Sequence, residues 1–121
     1  MKSMEEKSKN VGSTSISPDV LIDITRLAAL SVNGVARLAP VPGGVNRLFR
    51  KGSNEGVQII VEGNSVYADL YVILDQHINI RDVSREIQSQ VARAISEMVG
   101  MDVGRVNIHV EDIANHTQPS H

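Results

Sequence analysis

Cysteine is absent from these 121 residues, which excludes disulfides, thiol catalysis and cysteine-ligated zinc or iron–sulfur centres. A reducing cytosol fits that composition. Tryptophan is absent as well, and Phe49, Tyr67 and Tyr71 are the only aromatic side chains. The core must then be built from Val, Ile, Leu, Ala and Met, whose smaller areas each stabilise less than a ring does. Oligomerisation would add useful burial. Neither charge sign dominates, and a net charge of −2 argues against a chain that blankets nucleic acid, although a local basic patch is compatible with it. Long hydrophobic runs are missing: the longest, around Leu70 to Leu74, is far too short to cross a bilayer. No apolar stretch follows the charged start Met1 to Asn10, where a signal peptide needs one. The expectation is a cytoplasmic protein without direct membrane insertion, any membrane association being through a partner.

A chain of 13.1 kDa has room for one compact domain with one core. Residues 1–10 are charged and polar without periodicity and read as a flexible N-terminal tail. Residues 11–113 read as a single α/β domain, and residues 114–121 as a flexible C-terminal tail. Two similar stretches stand out, one ending Val32 to Leu38 and the other Met101 to Val110. Each reads as a short strand, an amphipathic helix and a strand carrying Val and Arg.

Ser17-Pro18-Asp19 predicts a helix start, because the serine hydroxyl caps an otherwise unpaired N–H and proline at the first helical position loses no hydrogen bond. Val20, Ile24, Leu27, Ala28 and Val32, widened by Leu21 and Leu30, predict its core face, and Asn33-Gly34 its end. Val35 to Ala39 reads as a short strand. Pro40 to Glu55 holds too many breakers for a regular element and reads as the main loop. Val57, Ile59 and Val61 alternate with polar residues, Gly63-Asn64 turns the chain, and Val66, Ala68, Leu70, Val72 and Leu74 alternate again. That pattern predicts a hairpin. The other row of its second strand, Tyr67, Asp69, Tyr71 and Ile73, is more apolar than an ordinary wet face, so something covers part of it. Asn79 or Asp82 can cap a second helix whose core row is Val83, Ile87, Val91, Ala94, Ile95 and Met98, up to Gly100. Val106, Ile108 and Val110 alternate with Arg105, Asn107, His109 and Glu111 in a last half-buried strand. The fold class predicted is α/β (α+β): a two-layer sandwich with two helices on one face of a small mixed or antiparallel sheet.

The residues offer little chemistry. Pro42-Gly43-Gly44-Val45-Asn46 lacks the spacing and the Lys-Ser/Thr of a phosphate loop. Arg47, Arg50 and Lys51 beside it can meet phosphate or an acidic partner through charge-assisted bonds, or simply keep a loop solvated. Phe49 among them serves as a partner anchor, a base-stacking ring or a pin holding the loop to the body. The four histidines lack metal-ligand spacing. His109 and Asp69 meet if their strands share register and face, but sequence fixes no hydroxyl or thiol nucleophile beside them, so a solvent-facing pair is the expectation. Asp19 and Asp23 share a helix face, and Asp19 suits the positive end of the helix dipole. The apolar stripe of the second helix lacks interfacial tryptophan and reads as core rather than membrane surface. No catalytic, cofactor or metal residue is predicted. Possible partner-binding residues are Arg47, Phe49, Arg50, Lys51, Tyr67, Asp69, Tyr71 and His109.

The ordered set Thr14 to Val20, Val32-Asn33-Gly34-Val35-Ala36, Val66 to Val72, Val91 to Gly100 and Val103 to Val110 resembles the alkaline shock protein family, over about residues 11 to 113. The resemblance implies a small cytosolic protein of the kind found chiefly in Gram-positive bacteria and linked to cell-envelope homeostasis and the envelope stress response. It also implies that some members are held near the membrane by a small anchoring partner, and it carries no catalytic motif. The basic Pro42 to Glu55 loop departs from the family pattern.

The function expected is a non-enzymatic scaffold or adaptor that self-associates and binds protein, by docking on the Tyr67-Asp69-Tyr71 face or by accepting a strand at a sheet edge. Alanine or aspartate at Tyr71 should weaken assembly. The alternative is an RNA-binding module of K-homology-like architecture. Its Gly-x-x-Gly clamp is not matched, because Gly52 and Gly56, or Gly100 and Gly104, have three residues between them.

Overall fold

A computed structural model describes residues 16–42 and 56–114; Arg47, Phe49, Arg50 and Lys51 lie outside the described residues, as do 1–10 and 115–121. Helix α1 spans Pro18–Leu30 and begins as its sequence dictates: the Ser17 hydroxyl accepts the Asp19 N–H, and Pro18 occupies the first turn. Strand β1, Val35–Leu38, follows a turn in which Gly34 adopts φ +105°. Strands β2, Val57–Glu62, and β3, Ser65–Leu74, form the expected hairpin. Helix α2 spans Ile80–Val99. The Asn79 side chain caps it by accepting the Asp82 N–H, and Gly100 ends it in the left-handed region. Strand β4 is Asp102–Ile113.

The sheet is mixed. β3 is its centre, antiparallel to β1 and β2 and parallel to β4. β2 pairs with residues 65–70 of β3 and β1 with residues 72–74, so the two short strands lie end to end. The β3–α2–β4 stretch is a true βαβ unit, the connection that parallel neighbours require. The first of the two similar stretches is not one: among the described residues no strand precedes α1, and β1 runs antiparallel to β3.

Both helices pack on one face of the sheet. Leu21, Ile22, Ala29 and Val32 from the first half of the chain, and Val83, Ile87, Val91 and Ile95 from α2, meet Val57, Val66, Ala68, Leu70, Val72, Leu74 and Val106 in one core. The α2 row is the one expected, except that Met98 is 69% exposed. The face of α1 is rotated from the expected one. Leu21, Ile22, Thr25 and Ala29 are buried, whereas Val20, Leu27 and Leu30 are exposed. Counting apolar residues could not separate these faces, because α1 has aliphatics on both and its buried row includes a threonine.

That threonine yields a test. Thr25 is fully buried and its hydroxyl has no hydrogen-bond partner among the described residues, a state that costs about 1–3 kcal/mol. Thr25→Val keeps the shape and has nearly the same helix propensity. It is expected to stabilise the fold by about 1 kcal/mol, seen as a melting-temperature rise of about 4 °C. A fall would show that the hydroxyl is satisfied.

Candidate functional site on the open sheet face

The face of the sheet turned away from the helices carries the row Tyr67, Asp69, Tyr71 and Ile73 of β3, since strand side chains alternate. The register adds Arg105, Asn107 and His109 of β4 beside Tyr67, Asp69 and Tyr71, and Ile60 and Gln58 of β2 beside Tyr67 and Asp69. Four of the expected partner-binding residues, Tyr67, Asp69, Tyr71 and His109, are thus brought onto one surface.

Asp69 organises it. Its Oδ1 accepts a hydrogen bond from Asn107 Nδ2 at 3.0 Å and lies 3.0 Å from His109 Nε2. A carboxylate can only accept, so His109 donates there through its Nε2–H. The His109 ring stacks on Tyr71, with centroids 4.5 Å apart and planes 13° from parallel. Partial burial pushes the Tyr71 phenol above its ordinary range, and the nearby Asp69 and Glu111 carboxylates push the same way. Removing its proton would add a third negative charge to a half-dry surface, so the phenol stays a neutral donor.

At the other end of the face, Tyr67 lies over Gly104. A Cβ on Gly104 would fall 2.5 Å from Tyr67 Cε2, so the ring needs the glycine. The register steps from Val103 to Arg105 while β3 advances one residue, leaving Gly104 as a bulge that brings backbone against the ring. Sequence reasoning missed both Gly104 and Asn107. The signals were present: an isolated glycine in a strand pattern, and a polar residue between Arg105 and His109 in the same row.

The covering expected over this face is partial. Ile73 is buried, packing with Ala39 and Ala114 and touching Ala36 and Tyr71. Asp69 and His109 side chains keep 30% and 41% of their exposure, and Ile60 is 57% exposed. An aromatic and apolar surface with a fixed polar centre is therefore left exposed. Among the described residues no group of three or more His, Asp or Glu side chains is placed to hold a metal, and no helix is long and apolar enough to cross a membrane. A shallow polar groove of about 310 Å³ lies elsewhere, lined by Ser31, Val32, Asn33, Glu86 and Gln90.

Comparison with known proteins gives the same placement by an independent route. A relative, Spy1535 of Streptococcus pyogenes, is 37% identical over 111 residues, covering 90% of this chain and 84% of the relative. YloU of Bacillus subtilis is 28% identical over 106 residues, covering 84% and 88%. Among solved structures, a zinc form of the MamM CTD superposes with a TM-score of 0.50 at 15% identity, over 85% of this chain and 96% of that one; at that identity the likeness shows the fold alone. The sequence model of the Asp23 family, described as having a cell envelope-related function, matches residues 6–115; the family's name is unconnected with the residue Asp23 of this chain. The chain belongs to this family, the alkaline shock proteins, and its role is accordingly a non-catalytic one related to the cell envelope.

Proposed function

We propose that the chain is an envelope-homeostasis scaffold or adaptor of the cytoplasm, which self-associates and docks a protein partner on the open sheet face, in the simplest case a small membrane-anchored protein. The observation that carries this reading is the Asp69–His109–Tyr71 arrangement. The imidazole is held to the carboxylate by one hydrogen bond and to the phenol ring by a stack, and Asn107 fixes the carboxylate with a second hydrogen bond, beside the exposed Ile60. Such a surface is pre-ordered, so little side-chain freedom is lost when a partner covers it. Tyrosine is also among the side chains that most often anchor protein interfaces.

The test is affinity capture from membrane and soluble fractions of the native cell, with salt-resistant partners identified by mass spectrometry. Wild type is expected to retain a small transmembrane protein. Tyr71→Asp, checked for fold by circular dichroism, should weaken that capture about 30-fold, as loss of an anchor worth roughly 2 kcal/mol requires. Equal capture by the folded variant would remove the face from the reading. Recovery of nuclease-sensitive ribonucleoprotein in place of protein would overturn the reading itself.

A further inference from the structure

β4 forms one outer edge of the sheet. Among the described residues β3 is its only strand partner, and the run from Asp102 to Ile113 is 12 residues long, well beyond the very short edges by which proteins usually avoid strand pairing. Its two side-chain rows are unlike those of a strand made to stay in water. The helix-facing row is Val103, Val106, Ile108 and Val110, and all but Val106 are only half-buried. On the open face Arg105, Asn107 and His109 stand in register and Glu111 follows at a second bulge, where the register steps from Val110 to Asp112; the exposed opposite charges Arg105 and Glu111 stand three residues to either side of Ile108. That row is charge-complementary to itself when reversed.

We propose that β4 is the self-association surface, pairing antiparallel with β4 of a second copy about a two-fold axis at Ile108; this deepens the self-association part of the function proposed above and rests on it. In that register Arg105 faces the partner's Glu111 and Glu111 faces the partner's Arg105. Asn107 faces the partner's His109, and Val106 faces the partner's Val110. The neighbouring registers fail on physical grounds. Over Arg105 to Val110, the regular stretch between the two bulges, a shift of one residue in the pairing sets apolar rows against polar ones, because side chains alternate. Moving the axis to Asn107 sets Arg105 against the partner's His109 and Glu111 against the partner's Val103. Moving it to His109 sets Arg105 against the partner's Ile113. Only the axis at Ile108 matches both charges and both rows.

The contact is isologous, so it closes as a dimer rather than growing into a fibre. It also places both open faces on the same side of one continuous sheet. A dimer therefore offers two docking faces at once to partners lying in a plane, which raises the strength of attachment without any new contact. The charges that set the register, Arg105 and Glu111, lie outside the Asp69–His109–Tyr71 arrangement, whereas His109 belongs to that arrangement and Asn107 is bonded to it.

The experiment is sedimentation equilibrium on the full chain. Wild type is expected to dimerise. Arg105→Glu and Glu111→Arg should each weaken dimerisation about tenfold or more, because each makes two like-charge pairs per dimer. The double variant, which restores both pairs in reversed sense, should recover wild-type affinity, and an equimolar mixture of the two single variants should form a heterodimer. Both sites are exposed, so the variants should fold, and the mixture does not depend on the double variant. If wild type assembles but the single variants assemble equally well, or neither the double variant nor the mixture recovers, the β4 assignment is overturned while self-association stands. If wild type stays monomeric at every concentration, both fall.

Discussion

Gly56→Ala is expected to destabilise the chain by about 3 kcal/mol, moving the urea midpoint down by about 1.5 M at an m-value of about 2 kcal/mol/M. Gly56 sits just before β2 at φ +90°, where a side chain carries about 1–3 kcal/mol of strain. A Cβ there would also stand 2.7 Å from both the Ala39 carbonyl oxygen and Leu38 Cβ, and 3.0 Å from the Tyr71 carbonyl oxygen. Two of these neighbours are backbone and cannot rotate aside, so overpacking adds about 1–3 kcal/mol. The site feels it directly, because Tyr71 donates its N–H to the Gly56 carbonyl and accepts the Ala39 N–H. Gly63 provides the control. It has φ +61° with nothing within 4 Å of its would-be Cβ, so Gly63→Ala should cost about 1 kcal/mol from conformation alone. Equal losses at the two positions would refute the contact argument.

Leu70→Ala is expected to cost about 2–5 kcal/mol, read from the same denaturation curves. Leu70 is fully buried in the main core, midway along β3, which pairs with each of the other described strands, with Val57 and Ile108 as its cross-strand neighbours. Both are held by the sheet and cannot collapse into the space a truncation leaves. The cavity contribution should therefore remain, placing the loss toward the upper part of the range. Leu27→Ala is the matching control, since Leu27 is 62% exposed and surface changes stay within about 0.5 kcal/mol. A large loss at Leu27 would mean that α1 buries the face its sequence suggests rather than the one described.

The contrast between these two leucines shows how far the sequence reads. α2 was legible because its apolar residues sit on one row, Val83, Ile87, Val91 and Ile95, against a polar remainder, and because Asn79 and Gly100 mark its ends. α1 was legible in its extent, through Ser17-Pro18, but not in its rotation, since aliphatics surround it. The hairpin was legible from its alternation about Gly63-Asn64. Its open-face row was legible as unusual, and the meeting of Asp69 with His109 as conditional on a register.

The sequence by itself determined the elements, the two-layer class and the membership in the alkaline shock family, because these rest on local spacing and on motif order. Only the tertiary structure decided that β4 lies parallel to β3, and that decision makes the site. Asp69 and Asn107 are 38 residues apart in the chain, and Asp69 and His109 are 40. The α2 crossover brings them together, and the Gly104 bulge sets which β4 residues face Tyr67, Asp69 and Tyr71. Pairing between distant strands is fixed by the packing of α2 against the whole sheet, a sum of many contacts that no local pattern encodes. The same packing leaves the outer edge of β4 without a strand partner among the described residues and Arg105 and Glu111 exposed.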